Sequence, residues 1–356
     1  HTIYSKTSRF YSRMTKKLLN IFTILLITTS INAQAGSGVF QFLNLPTGAR
    51  QAAFGGTNIT LYDNDLNFAF ANPALLSEKT HNFLGLNYTN LFNDVNLGSA
   101  IYGRNFSDKD FMAFGVHYID YGTFLKTNEF NQELGTFTAK DIALTAMYCR
   151  WLSPRWTAGI TMKPIFSFYE RYFSSGFDIG FSYHNEQALF SAGLVLRNIG
   201  FQFNGYNSIN PTQKQEILPI DLQIAVSQKL PKAPLRFHLT LHNMQVWDLS
   251  YGIGNNTLDK NNGKTKAAAG VDMFFRHTIW AVEILPHKNF YIIASYNHRR
   301  QREMAIKDRR SIAGFALGAG FKAHKFNVGF SIVPYQTGSL GYNITFSTNL
   351  TDFGIK

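Results

Sequence analysis

The 356 residues are 45% hydrophobic and 15% aromatic but only 16% charged, against about 25% charged in an ordinary soluble domain. That balance excludes intrinsic disorder, and a single cysteine excludes a disulfide framework, a multi-thiolate zinc site and an iron–sulfur cluster. The net charge of +12 is partly local, because residues 1–35 hold Lys6, Arg9, Arg13, Lys16 and Lys17 and no acid. The remaining bases are scattered apart from one cluster, which is not the charged stripe of a nucleic-acid binder; no nucleic acid is expected as a partner.

Met14-Thr-Lys-Lys17 reads as a basic n-region and Leu18 to Ile31 as an apolar run, shorter than the roughly 20 residues that span a bilayer. Ala33-Gln-Ala35 offers small residues for cleavage before Gly36 or after Ala33. Residues 1–35 are therefore expected to be an upstream extension and an export signal.

Residues 36–82 do not alternate. They are apolar and Gly-rich around Gly36–Leu43 and Ala49–Gly56, then turn polar at Asp63-Asn-Asp65 and run through Asn72-Pro73-Ala74. From residue 83 onward the pattern has period two. Trp156, Ala158, Ile160 and Met162 oppose Thr157, Thr161 and Lys163, and Phe177, Ile179, Phe181 and Tyr183 oppose Asp178, Gly180, Ser182 and His184. Such alternation marks half-buried antiparallel strands. The segments are long enough to cross hydrocarbon at a tilt, which takes about 9 to 11 residues, whereas soluble strands average about five to six. Backbone groups in lipid must all pair, so the sheet has to close.

Fourteen strands are predicted, at 83–89, 95–106, 110–120, 138–152, 156–169, 176–184, 188–203, 218–229, 235–246, 278–285, 290–300, 311–323, 325–334 and 340–349. Residues 266–275 could make a fifteenth, but placing them in a loop keeps the count even and puts all short turns at one end. The long connections 121–137, 204–217, 247–277 and 301–310 then share the other end, expected to be extracellular. The expected fold is all-β: a 14-stranded antiparallel transmembrane β-barrel over 83–356. A barrel this wide cannot be filled by its own side chains, so 36–82 is expected to form an N-terminal hatch or plug. Aromatics near segment ends, such as Phe166, Phe168 and Tyr169 or Tyr291 and Tyr296, suit interfacial girdles.

Gly36-Ser-Gly-Val-Phe-Gln-Phe-Leu-Asn-Leu-Pro46, Ala49-Arg-Gln-Ala-Ala-Phe-Gly55-Gly56-Thr57 and Asn72-Pro73-Ala74, with Arg276-His277 and Tyr296-Asn-His-Arg-Arg-Gln-Arg302 further on, resemble the PorQ family of the type IX secretion system. That family and its relative PorV look like members of the FadL-like superfamily of outer-membrane barrels, whose hatch carries an Asn-Pro-Ala motif. The resemblance implies a non-enzymatic outer-membrane anchor. It would hold a PorZ-like surface partner in an attachment complex with PorU and PorV, which joins secreted cargo to lipopolysaccharide. The superfamily also implies an alternative, a channel for apolar small molecules gated by the hatch.

Other chemistry finds little support. His238 and His242 share a strand face but lie about 13 Å apart at 3.4 Å per residue, too far for one metal, so they read as lumen histidines. Cys149 has no neighbouring base in sequence and reads as a small buried thiol. No nucleophile elbow, metalloprotease helix or phosphate loop is present, and no cofactor is expected. The basic cluster Arg299, Arg300, Arg302, Arg309 and Arg310 flanks one long loop and suits lipopolysaccharide phosphate groups. The loop 247–277 is the expected partner contact, through Trp247 and a short amphipathic helix bearing Phe274 and Phe275.

Overall fold

A computed structural model describes residues 38–169, 172–203, 216–249, 266–304, 311–336 and 338–355. The proposed signal segment, Arg309 and Arg310 lie outside the described residues. Fourteen strands form one closed antiparallel barrel. They are β1 (Phe83–Phe92), β2 (Val95–Asn105), β3 (Asp110–Thr127), β4 (Glu133–Ser153), β5 (Trp156–Ser167), β6 (Phe173–Asn185), β7 (Phe190–Gln202), β8 (Asp221–Lys229), β9 (Leu235–Leu241), β10 (Thr278–His287), β11 (Phe290–Asn297), β12 (Phe315–Ala323), β13 (Phe326–Gln336) and β14 (Ser339–Asn349). The ring is sealed by β1 on β14, from Phe83 opposite Asn349 to Asn90 opposite Tyr342.

Burial along the strands is inverted relative to a water-soluble protein. Thr157, Lys163, Asp178, Glu283 and Asn343 face inward and are buried, while Trp156, Ile160, Phe330 and Ile344 point outward and stay 43–50% exposed. A continuous apolar outer wall is stable only against hydrocarbon. No helix among the described residues is long and apolar enough to cross a membrane, so crossing belongs to the strands.

The lumen holds residues 38–82, the described part of the segment expected to form a hatch. Phe42, Leu43 and Ala52 pack on Leu97, Ile119 and Val333 of the wall. Leu66, Phe70 and Leu76 pack on Ile101, Phe111, Met147 and Cys149. The thiol is fully buried, and His238 lines the lumen with 4% exposure.

Several expected boundaries move, among them the end of β9, drawn back to Leu241, and the start of β12, drawn in to Phe315. Residues 121–137 are not a loop: β3 and β4 continue as a hairpin from Thr123 opposite Thr138 to Thr127 opposite Glu133. Their neighbours stop earlier, with Asn96 of β2 opposite Asp120 and Ser167 of β5 opposite Asp141. The hairpin therefore stands roughly 24 Å clear of the ring at about 3.4 Å per residue. Thr123, Thr127, Thr136 and Thr138 favour extended backbone, and Asn128 closes the tip by accepting from the Phe130 and Gln132 amides. Next, β11 ends at Asn297, whose side chain caps a helix at His298–Glu303 by accepting from the Arg300 amide at 3.1 Å. Finally, Lys266–Arg276 is helical, not a fifteenth strand, in keeping with the amphipathic pattern around Val271–Phe275. Tyr291 also departs from the girdle reading, since it faces the lumen and lies 4.7 Å from the Arg50 guanidinium.

Candidate functional site

The hatch enters the lumen through a short helix, α1 (Ala49–Ala53). Its first amide, on Ala49, donates to Thr345 Oγ1 of β14 at 2.7 Å, tying the helix start to the wall. One residue on, Arg50 is 8% exposed and makes a latch. Its Nη1 meets Asp63 at 2.8 Å and Asp65 at 3.6 Å within the hatch, and its Nη2 meets Glu283 of β10 at 2.7 Å. Glu283, fully buried, also takes Arg236 of β9 at 3.0 Å. Burial opposes the Arg50 charge, but Asp63, Glu283 and Asp65 outweigh it and raise its pKa well above the ordinary value. A buried pair of this kind is costly to break on one side, because the abandoned charge is left without solvent.

The Asn72-Pro73-Ala74 turn docks on the opposite wall. Asn72 Oδ1 accepts from the Ala74 amide at 3.0 Å, and Nδ2 donates to the Ile59 and Phe181 carbonyls at 3.1 and 3.4 Å. Thr157 of β5 donates to the Ala74 carbonyl at 2.6 Å. The wall makes room with glycine: a Cβ on Gly180 would lie 2.0 Å from Asn72 Oδ1, and one on Gly159 would lie 2.6 Å from the Pro73 backbone.

Two cavities lie at opposite ends of β10 and β11, with α1 between them and the latch on the wall of the first. At the short-turn end about 710 Å³ is lined by Arg50, Asp63, Asp65, Lys229, Arg236, Lys288 and Lys322. At the long-loop end about 290 Å³ is lined by Gly55, Gly56, Arg197, Asp221, His242, Asn297, Arg299, Arg300 and Tyr335. Gly55 and Gly56 adopt φ of 83° and 116°, a region open to glycine. A Cβ on Gly56 would meet Arg300 Nη2 at 3.2 Å. Between the cavities the contact of hatch and wall is apolar, with Ala53, Phe54 and Phe68 against Ala281 of β10 and Ile293 of β11.

The residues singled out in sequence thus separate into three places. Gly55, Gly56, Arg299 and Arg300 meet at the long-loop cavity, and Asn72, Pro73 and Ala74 lie against β5 and β6. Arg300 does not join an outer basic rim as expected: it turns inward and stacks on Tyr335, 5.1 Å from the ring, where burial lowers its pKa. Arg299 is paired with Glu303 at 2.6 Å. The third place is the outer face of the helix α2 (Lys266–Arg276), where Phe274 and Phe275 are exposed. Trp247, 61% exposed, stacks on His277 at 5.4 Å. Arg302 reaches from α3 (His298–Glu303) to Asp272 of α2 at 3.3 Å. The latch partners Asp63, Asp65, Glu283 and Arg236 were outside the sequence reading; only the Asp63-Asn-Asp65 run hinted at them. No group of His, Cys, Asp and Glu that could hold a metal occurs among the described residues.

Neither a protein-family model nor a curated protein sequence matches the chain. Solved structures match its fold. The Ralstonia pickettii toluene transporter TbuX aligns with a TM-score of 0.52 at 10% identity, over 86% of this chain and 99% of that one. A deltaS2 mutant of TodX, described as a monoaromatic hydrocarbon channel, aligns with a TM-score of 0.53 at 11% identity, over 86% and 99%. The shared property at that identity is the barrel fold.

Proposed function

We propose that the chain is an outer-membrane uptake barrel that passes small apolar molecules when the hatch leaves its Arg50 latch. The observation that carries this reading is the arrangement of two cavities in one lumen, separated by a five-residue helix that an ion-pair latch holds to the wall. Withdrawal of α1 exposes Ala281 and Ile293, an apolar strip suited to an apolar solute, which gains from leaving water. The fold shared with TbuX and TodX supports the same reading. In this reading the long-loop end is extracellular and the chemistry is passive, without a cofactor or catalytic group. The test is uptake of radiolabelled toluene by outer-membrane vesicles carrying the full chain. Uptake faster than in vesicles lacking it is expected, and equal rates would remove the channel.

A second reading has its own observation. The β3–β4 hairpin stands above the ring with Leu125, Phe130 and Leu134 59–82% exposed, and a free two-stranded hairpin is marginal in water. That suits an anchor for a surface protein, the PorZ-like partner with PorU and PorV that the sequence resemblance implies. Affinity isolation from detergent-solubilised outer membrane, followed by mass spectrometry, separates the two. Recovery of a soluble surface protein supports the anchor, and recovery of the barrel alone removes it.

A further inference from the structure

The small cavity at the long-loop end carries more positive charge than its own acids use. Arg299 is taken by Glu303. Asp221 is taken by the Gln223 side chain at 2.6 Å and the Asn243 amide at 2.7 Å. Two guanidiniums remain without a carboxylate partner among the described residues. Arg197, 4% exposed, donates from Nη2 to the Leu43 carbonyl at 3.0 Å, and Arg300 lies on Tyr335.

Four buried polar atoms on this one cavity also have no protein hydrogen-bond partner among the described residues: Arg197 Nε, Arg300 Nη1, His242 Nε2 and Tyr335 Oη. An N–H buried without an acceptor is costly, by roughly 1–3 kcal/mol and more when charged. Two such guanidinium donors, from β7 and α3, and the His242 ring just beyond β9 line this one cavity. The forked guanidinium geometry matches the paired oxygens of a carboxylate or phosphate.

Size and lining narrow the ligand. About 290 Å³ lies at the lower edge of small-molecule sites, which run from roughly 300 Å³ upward. Thr57, Gln223, Asn243 and Asn297 make the rest of the lining polar, a poor surface for an acyl or aryl tail.

We propose that this cavity is a binding site for a compact hydrophilic oxyanion, a phosphate group or a small hydroxylated carboxylate, held between Arg197 and Arg300 above the Gly55–Gly56 turn. The site is independent of whether the barrel transports, since it rests on the donors alone. An oxyanion there also touches the hatch, because Gly56 lies directly beneath Arg300.

Isothermal titration of the full chain in detergent tests the assignment, with inorganic phosphate, gluconate and octanoate as probes. Saturable one-site binding of phosphate or gluconate is expected, and the one that binds identifies the source of the oxyanion. Arg197→Gln and Arg300→Gln should each weaken it about tenfold or more, the loss of one charged hydrogen bond. Arg300→Lys keeps the charge without the fork and should fall between. Lys288→Gln, at the opposite end, should leave affinity within about twofold. Heat-modifiable gel mobility confirms that each variant is folded. Octanoate binding as tightly as the polar probes would overturn the hydrophilic assignment, and absence of saturable binding for all three would overturn the site.

Discussion

Arg50 sets the behaviour of the hatch at the scale of single residues. It faces carboxylates from two sources, Asp63 and Asp65 of the hatch and Glu283 of the wall, and of these three only Glu283 joins hatch to barrel. Arg50→Ala leaves the buried Glu283 with Arg236 and the His238 ring, so the removal should cost roughly 3–5 kcal/mol. That cost should appear as faster amide exchange over residues 49–63 with the strands unchanged; exchange rising equally throughout the barrel would show that Arg50 stabilises the wall and not the latch. Gly180 offers a second test, because its Cβ would fall 2.0 Å from Asn72 Oδ1. Gly180→Ala should cost about 1–3 kcal/mol by overpacking, and adding Asn72→Ala should recover most of it. Additive losses in the double-mutant cycle would mean that the turn does not bear on this glycine.

Among the elements, α2 and α3 are clasped by one carboxylate. Asp272 meets Arg276 at 3.0 Å, His298 at 3.1 Å and Arg302 at 3.3 Å. Burial raises its pKa, but hydrogen bonds from His298 and Arg276 and the charge of Arg302 outweigh that, and the net shift is downward. A carboxylate depressed in the folded state contributes stability above its unfolded pKa of about 3.9, and loses it as pH falls through the folded value. Intrinsic-rate-corrected amide protection over 270–304 should therefore be constant from neutral pH to about 4 and decline below it. In Asp272→Asn that decline should vanish; its persistence would assign the acid sensitivity elsewhere. The sequence shows α2 through the spacing of Val271, Phe274 and Phe275, but not the clasp, since Asp272 and Arg302 belong to helices on different connections. It hides the β3–β4 hairpin for another reason. Alternation is legible when one face is apolar, and Thr123 to Thr127 and Glu133 to Thr138 mix Thr, Phe and Leu on two faces that both meet solvent.

For the molecule as a whole, the strands follow from period two alone, because lipid and lumen impose opposite preferences on neighbouring residues. The location of residues 38–82 inside the ring follows from their apolar content and the width of the barrel. The latch does not follow: Arg50 and Glu283 lie 233 positions apart, and a lone arginine in an apolar segment has many possible partners. The inverted wall makes one further prediction. The mature chain should stay dispersed only with detergent or lipid, and limited proteolysis of that sample should cut first within 121–138, where the hairpin lacks neighbouring strands. First cuts in the short turns at 230–234 or 288–289 would mean that the hairpin is shielded, as a bound partner would do.

The seam between β1 and β14 adds a constraint on assembly. Phe83 follows the hatch directly and must find Asn349 at the end of the fourteenth strand, so the ring can close only after almost all of the sheet exists. Pairings between chain ends form slowly, and until that moment β1 and β14 both present open edges, a hazard for misassociation. The hatch shares this junction: Asn82 receives the Leu350 amide at 2.8 Å and gives its own amide to the Gly103 carbonyl at 2.8 Å. Zipping the last strand thus fastens the end of the hatch in the same step.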